Sequence, residues 1–249
     1  MKVTAHKTNK ITAGENLYKI LDDYLPKLEE RTVVAITSKI ISICQGDIIK
    51  NDGTVDKETL IKEQADWYFI DDNLKMFGTV IPTITNGILI ANAGIDESNA
   101  DGYFVLWPKH IDQTTEEIWK YLRKKHNIKN LGIVVTDSRL FPLRYGTIGV
   151  GVSWCGFKAT QDYRGEPDIF GKPLVMTQKN IFDTLSVAAV AIMGEGNEQT
   201  PLTTITDIPF VAFQDHPTTQ EERDLIKIEK EKDIYGKLLT SVAWEKGGK

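Results

Sequence analysis

Apolar and polar residues follow two spacings along the chain, one typical of helices and one typical of strands. Helical spacing of apolar residues predicts amphipathic helices at 15–25, 114–125 and 178–193. Short apolar or β-branched runs predict strands at 32–37, 87–91, 131–135, 147–154 and 208–213. Strands mixed with helices indicate an α/β or α+β class, and the irregular order of the elements argues against a simple doubly wound sheet.

Local signals define the ends of several predicted elements. Thr114, with Glu117 three residues later, is expected to cap the second helix, and Thr218 is expected to cap a charged C-terminal helix. Gly194 is a natural stop for the helix before it. In the strand 147–154, alternation is expected to place Trp154 on the face opposite Gly149 and Gly151.

Length and composition limit the class of protein. The chain has 249 residues, 41% of them hydrophobic and 26% charged, which suits one large domain or two small ones. Because no Pro-, Gly- or Ser-rich linker divides it, we expect residues 1–249 to form a single unit in which any two lobes pack closely. The net charge of −5 argues against a dedicated nucleic-acid binder.

The same composition predicts a cytoplasmic protein. No apolar run approaches the ~18–20 residues that a membrane span needs, and the N-terminus lacks the apolar segment of a signal peptide. The only cysteines are Cys44 and Cys155, so we do not expect a disulfide scaffold. We expect a protein of a reducing compartment.

Acidic and amide side chains follow the predicted strands at 87–91 and 131–135. Carboxylates at strand ends can converge on one hard cation, and Mg²⁺ commonly uses one or two carboxylates together with substrate phosphates. Asp96 and Asp137 fit that role, with Ser138 or Asn99 as neutral oxygen ligands. The alternative is that these are ordinary turn residues, since Asp, Asn and Gly commonly follow strands.

Four cationic residues accompany these clusters: Lys39, Arg139, Arg144 and Arg164. Arg144 and Arg164 lie in glycine-flanked segments, and arginine suits the planar recognition of carboxylates and phosphates. The alternative for Arg164 is a surface ion pair with Asp162 or Asp168, which would contribute little. The common phosphate-binding loop G-x-x-x-x-G-K-[ST] is absent, so any nucleotide must be bound in another way.

Taken in order, several motifs resemble the coenzyme F420-0:L-glutamate ligase (γ-glutamyl ligase) family. The most distinctive is ANAGIDESN at 91–99, followed by TDS at 136–138. The other similar segments are TSKIIS at 37–42, RYGTIGV at 144–150, DYRG at 162–165, DIFGKPL at 168–174 and MGEG at 193–196.

The resemblance implies a fold and a set of ligands. The expected fold is α+β, with mixed sheets, packed helices and two closely packed lobes in an intertwined homodimer. The expected ligands are GTP (or ATP) and two divalent cations, Mg²⁺ or Mn²⁺. The expected reaction is the ligation of L-glutamate, through a γ-glutamyl amide bond, to a deazaflavin (F420-0) or a pterin-type acceptor such as folate, by way of an acyl phosphate.

The resemblance also implies roles for individual residues. Asp96 and Asp137 match catalytic, metal-binding aspartates, and Ser138 stands where the family has a metal-binding Thr or Ser. Apart from the resemblance, the chemistry of arginine makes Arg144 and Arg164 candidates for binding a substrate carboxylate or phosphate. Positions that match nucleotide contacts are Ser38, Lys39, Asn99, Gly194, Glu195, Gly196 and, near the N-terminus, Thr8–Ile11.

Two departures from the family pattern affect the expected substrates. Ile43 stands where the family often has a lysine, and Leu140-Phe141 replace a usual Gly-Arg pair. Both bear on the identity of the nucleotide and of the acceptor, which leaves a folate-type acceptor open. Two other functions remain in view: a nucleotide- and metal-binding protein without ligase activity, and a metal-dependent hydrolase.

Overall fold

A computed structural model describes the backbone of residues 1–249 and the side chains of residues 1–74 and 78–249. The strands are β1 (Lys2–His6), β2 (Thr32–Thr37), β3 (Ile48–Lys50), β4 (Trp67–Tyr68), β5 (Pro82–Thr85), β6 (Ile88–Ala91), β7 (Tyr103–Val105), β8 (Leu131–Leu140), β9 (Thr147–Cys155), β10 (Thr160–Asp162), β11 (Gln178–Asn180), β12 (Leu202–Thr206) and β13 (Glu245–Lys246). The α-helices are α1 (Leu17–Tyr24), α2 (Ser38–Gln45), α3 (Lys57–Gln64), α4 (Ile111–His126), α5 (Ile181–Met193), α6 (Gln220–Leu225) and α7 (Gly236–Leu239). Short 3₁₀ turns occupy Asp72–Phe77 and Asn92–Gly94.

A five-stranded mixed sheet forms the centre of the fold. Its strand order is β1-β12-β2-β8-β9. The β2–β8 pair is parallel, and the other three pairs are antiparallel. The remaining strands form a four-stranded sheet, β13-β4-β5-β6, and the pairs β3-β7 and β10-β11. The mixed sheets confirm the predicted α+β class.

Helices cover both faces of the central sheet. Along β2, Val34 and Ile36 pack with residues of α1, α2 and α4, whereas Val33 and Ala35 pack with residues of α5. Burial on both faces explains why β2 is a continuous apolar run rather than an alternating one. A fully buried aliphatic side chain of this size contributes about 1.5–3 kcal/mol.

A further apolar cluster holds the smaller sheets together. Leu60 and Ile61 of α3 pack with Ile81, Phe104 and Leu106. This cluster fixes the segment between β6 and β7, which carries one of the predicted acidic motifs.

The predicted alternation in 147–154 is wrong because β9 contains a bulge. Val135 pairs with Ser153 and the next residue of β8, Thr136, pairs with Gly151, so Val152 is an extra residue. The bulge shifts the alternation by one residue. Trp154 therefore packs on Phe182 of α5, with ring centroids 4.7 Å apart, on the same face as Gly151.

The two predicted helix caps are also misplaced. Helix α4 begins at Ile111, so Thr114 is a buried helical residue whose hydroxyl accepts a hydrogen bond from the Gln45 side chain. Thr219, not Thr218, caps α6 through a reciprocal capping box.

Two other expectations concern whole elements. The predicted strand at 208–213 does not form, and Phe213 makes only an isolated bridge with Phe157. Among the residues described, no helix has the length and apolar character required to cross a membrane.

Candidate functional site

A cleft of about 840 Å³ opens where the parallel strands β2 and β8 reach their carboxyl ends. The pairing of β2 with β8 ends at Thr37 and Thr136. Beyond them β8 continues along the cleft wall, paired with β9. Ligands of open α/β sheets commonly bind outside the carboxyl ends of strands. The lining comes mainly from Lys39, Ile40 and Ile43 of α2 and from segments within 8–12, 90–101, 136–140 and 193–201.

Asp96 is held at one wall of this cleft. Its backbone exchanges two hydrogen bonds with Val105, and its Oδ1 accepts hydrogen bonds from the backbone N–H and the hydroxyl of Ser98. Lys39 Nζ lies 2.5 Å from Asp96 Oδ2. Burial alone would raise the pKa of Asp96, but the Lys39 charge and these hydrogen bonds outweigh it, so the pKa is lowered.

Asp137 lies on β8 in a different environment. Its Oδ2 accepts a hydrogen bond of 2.5 Å from Trp107 Nε1, and its Oδ1 accepts one of 2.8 Å from the Ser138 backbone. Burial, followed by the nearby charge of Asp96, raises the pKa of Asp137 to about 6 despite those hydrogen bonds. The two carboxylates therefore face one cleft with pKa values shifted in opposite directions.

The indole of Trp107 reaches Asp137 because Gly94 has no side chain. A Cβ added at Gly94 would lie 2.3 Å from Trp107 Nε1, and Gly94 adopts a positive φ of 75°. Trp107 is buried, and its N–H also fixes a candidate catalytic carboxylate. Nothing in the local sequence indicates that contact, since 30 residues separate the partners.

The segment after α5 forms the opposite wall, and we call residues 194–201 the glycine loop. The Ser138 hydroxyl lies 2.8 and 2.9 Å from the two carboxylate oxygens of Glu195. Asn99 Nδ2 donates a hydrogen bond of 2.8 Å to the carbonyl of Gly196. These two bonds connect the glycine loop to β8 and to the 91–99 motif, so the three sequence motifs form one site.

Two predicted site residues lie outside the cleft. Ser38 is buried at the start of α2 and is absent from the cleft lining. Arg144 lies in an exposed turn, where its guanidinium donates to the neighbouring Leu143 carbonyl. Arg164 pairs with Asp162 at 2.6 Å on the surface, which confirms the ion-pair alternative for that residue.

The cleft offers hard oxygen donors suited to Mg²⁺ or Mn²⁺ from Asp96, Asp137, Ser138 and Glu195. Over residues 1–74 and 78–249, no three His, Cys, Asp or Glu side chains are gathered closely enough to hold a metal by themselves. A cation in this cleft would therefore take further ligands from water or from substrate oxygens. That is the usual arrangement for Mg²⁺ on nucleotide phosphates.

Comparison with known proteins agrees with this geometry. The family profile described as F420-0:Gamma-glutamyl ligase matches residues 6–207, which include every cleft segment. The chain belongs to this family. Its membership confirms the expected resemblance and identifies the chain as a member of a ligase family.

Relatives in the γ-glutamyl ligase family match most of the chain. The protein named Coenzyme F420:L-glutamate ligase from Methanocaldococcus jannaschii is 29% identical over 234 residues, covering 88% of this chain and 90% of the relative. The protein of the same name from Methanococcus maripaludis strain S2 is 32% identical over 220 residues, covering 84% and 86%. That from Methanosarcina mazei is 30% identical over 241 residues, covering 90% and 94%.

Proposed function

We propose that the protein is a nucleotide- and divalent-cation-dependent ligase that adds L-glutamate to the carboxylate of a deazaflavin or folate acceptor, building a γ-glutamyl tail. The observation that carries the proposal is the meeting of Asp96, Asp137 and the glycine loop in one cleft. Family membership supports the ligase class, and the names of the relatives favour an F420-type acceptor.

Asp96 and Asp137, with the Ser138 hydroxyl, are the proposed ligands of Mg²⁺ or Mn²⁺. Such a cation neutralises charge on a transferring phosphoryl group and orients it. Lys39 is the proposed partner of the nucleotide phosphates, because its ammonium already lies among the same oxygen atoms. Asn99 would hold the glycine loop in place against GTP or ATP.

The proposed reaction has two steps. An oxygen of the acceptor carboxylate attacks the γ-phosphorus of the nucleotide, and the nucleoside diphosphate leaves, giving an acyl phosphate. The amine of glutamate then attacks the acyl carbon, phosphate leaves with the bonding electrons, and the nitrogen loses a proton to give the amide. The residues of the cleft serve to align these reactants and to compensate their charges.

The acceptor is proposed to rest against the apolar side of the cleft. Ile43 and Leu140 line the cleft, and both belong to the positions that depart from the usual family pattern. Planar heterocycles occur in deazaflavins and in folates, so both acceptors suit an apolar wall. The relatives' names favour the deazaflavin, and the two departures give the reason to test the folate.

We also propose that the ligase is a homodimer. Exposed apolar side chains stand on the loop between β8 and β9 and on the loop between β10 and β11, with Leu143 95%, Ile169 92% and Phe170 89% exposed. Exposed apolar patches of this kind mark interaction sites. Sedimentation equilibrium should give about twice the chain mass of 28.0 kDa, and a monomer at micromolar concentration would reject this part of the proposal.

The test of function is mass spectrometry of acceptors incubated with enzyme, glutamate, Mg²⁺ or Mn²⁺, and either GTP or ATP. A gain of one or more glutamyl units on F420-0 or on a folate, absent in Asp96→Asn, supports the proposal. Nucleotide binding without any glutamyl product would favour the non-ligase alternative. Phosphate release that is independent of glutamate would favour a hydrolase.

A further inference from the structure

Arg139 is a cation in the cleft wall whose charge the fold leaves uncompensated. It lies on β8 two residues after Asp137, and its side chain lines the cleft. Its Nε is buried without a hydrogen-bond partner. Within the part of the chain whose side chains are described, its guanidinium forms no ion pair and no hydrogen bond.

A buried arginine N–H without a hydrogen-bond partner is unusual in a folded protein. A guanidinium stays charged at all accessible pH values and carries five N–H donors, so a buried unpaired donor is unfavourable. Of the other cations that line the cleft, Lys10 is exposed to solvent and Lys39 is paired with Asp96. The Arg139 guanidinium lies over the ring of Phe141, 5.6 Å from the ring centroid, a contact that does not use its N–H donors.

The position of Arg139 along the strand indicates which substrate group it meets. Residues two apart on a strand point to the same face, with their backbones about 7 Å apart. Arg139 is therefore beside Asp137, on the side away from Thr37 and from the part of β8 that pairs with β2. If nucleotide phosphates and cations gather at Asp96 and Asp137, Arg139 lies about 7 Å farther along β8, where a second substrate can be bound.

We infer that Arg139 binds a carboxylate of the incoming glutamate. This inference rests on the proposed ligase function and names a recognition residue for its amino-acid substrate. Glutamate must bring its amine to the reacting carboxyl group, and its own two carboxylates then project away from that point. A guanidinium fork pairs with a carboxylate through two parallel hydrogen bonds, which would satisfy the unpaired donors.

The test compares Arg139→Ala and Arg139→Lys with the wild type, using the full-length enzyme and the acceptor that it glutamylates. For Arg139→Ala we expect KM for glutamate to rise about 10- to 100-fold, the usual loss for a charged hydrogen-bonded pair, with KM for nucleotide and acceptor changed less than threefold. Arg139→Lys keeps the charge but loses the paired N–H donors of the guanidinium, so its KM for glutamate should lie between those of wild type and Arg139→Ala. Arg123→Ala, which removes an arginine stacked on Trp119 outside the cleft lining, is the matched control and should leave KM for glutamate unchanged.

A specificity measurement identifies the carboxylate. The wild type should prefer glutamate to both glutamine, which lacks the γ-carboxylate, and isoglutamine, which lacks the α-carboxylate. In Arg139→Ala the preference for glutamate over one of these two amides should fall at least tenfold. The carboxylate that this amide lacks is the one that Arg139 binds. A merely structural arginine would not change this ratio.

Failure of the inference and failure of the proposed function give different results. An active wild type whose Arg139→Ala variant keeps its KM for glutamate and its amino-acid preference overturns the inference alone. A variant that loses affinity for all three substrates together with a lower Tm also overturns it. If the wild type transfers no glutamate, equilibrium dialysis with labelled glutamate decides: equal binding by wild type and Arg139→Ala rejects the inference as well.

Discussion

Replacing Asp137 by asparagine should make the stability of the ligand-free protein, relative to wild type, increase as pH rises, while removing its function. Burial raises the pKa of Asp137 from 3.8 to about 6, so the folded chain holds this proton more tightly than the unfolded chain does. Between those two pH values the folded state binds more protons. The free energy of unfolding therefore falls as pH rises through this interval, and the loss is complete above about pH 7.

The size of the effect follows from the shift. A change of one pKa unit corresponds to 1.36 kcal/mol, so the ionised Asp137 costs the ligand-free fold up to about 3 kcal/mol. Asparagine removes this cost but has a single acceptor oxygen, whereas Asp137 accepts hydrogen bonds from both Trp107 and Ser138. One donor is left unpaired in the variant, which lowers its free energy of unfolding by about 1–3 kcal/mol at every pH.

The decisive quantity is thus the pH dependence of the difference and not its absolute value. Urea unfolding of wild type and Asp137→Asn at pH 4.5 and at pH 8 should show the variant gaining about 2 kcal/mol relative to wild type between the two pH values. Other titrating groups are common to both proteins and cancel. If the difference in unfolding free energy between variant and wild type stays constant across this range, burial does not oppose the ionisation of Asp137, and the reasoning is refuted.

Three further predictions concern neighbouring residues. Gly94→Ala should lower stability by about 2–4 kcal/mol, measured by denaturant unfolding, because the new Cβ collides with Trp107 at a backbone position with positive φ; an unchanged midpoint would contradict the packing described. Lys39→Met should raise KM for nucleotide about 10- to 100-fold, because the phosphates lose a charged partner. The same variant should raise the pKa of Asp96, which NMR can measure, and wild-type values for both quantities would contradict the pairing. Asn99→Ala should weaken nucleotide binding about threefold to tenfold in calorimetry, because the glycine loop loses its bond to the 91–99 motif, and affinity equal to wild type would remove Asn99 from the site.

The sequence predicted the class of the fold and its strongest elements because these depend on local periodicity. The strand at 32–37 and the helix ending at Gly194 appear where the pattern indicated them. The alternation in β9 failed because one bulged residue reverses every later side chain. A bulge depends on the pairing partner, which the local pattern does not contain.

The candidate site was partly predictable for the same reason. The strand-end argument and the family motifs both selected Asp96 and Asp137, and the structure brings the two into one cleft. The contacts that set their pKa values come from Lys39 and Trp107, which are distant in sequence. Ser38 stands beside Lys39 in the same motif, yet it is buried in α2, so matching a motif does not decide which side chains face a ligand.

The central claim is that Asp96 and Asp137 hold divalent cations against a nucleotide in this cleft. Electron paramagnetic resonance of free Mn²⁺, titrated with protein in the presence of a non-hydrolysable GTP analogue, tests it most directly. The account predicts that wild type removes close to two Mn²⁺ per chain from solution and that Asp96→Asn and Asp137→Asn each remove fewer, with at least tenfold weaker affinity. Mn²⁺ binding in both variants that equals wild type in number and affinity would contradict it.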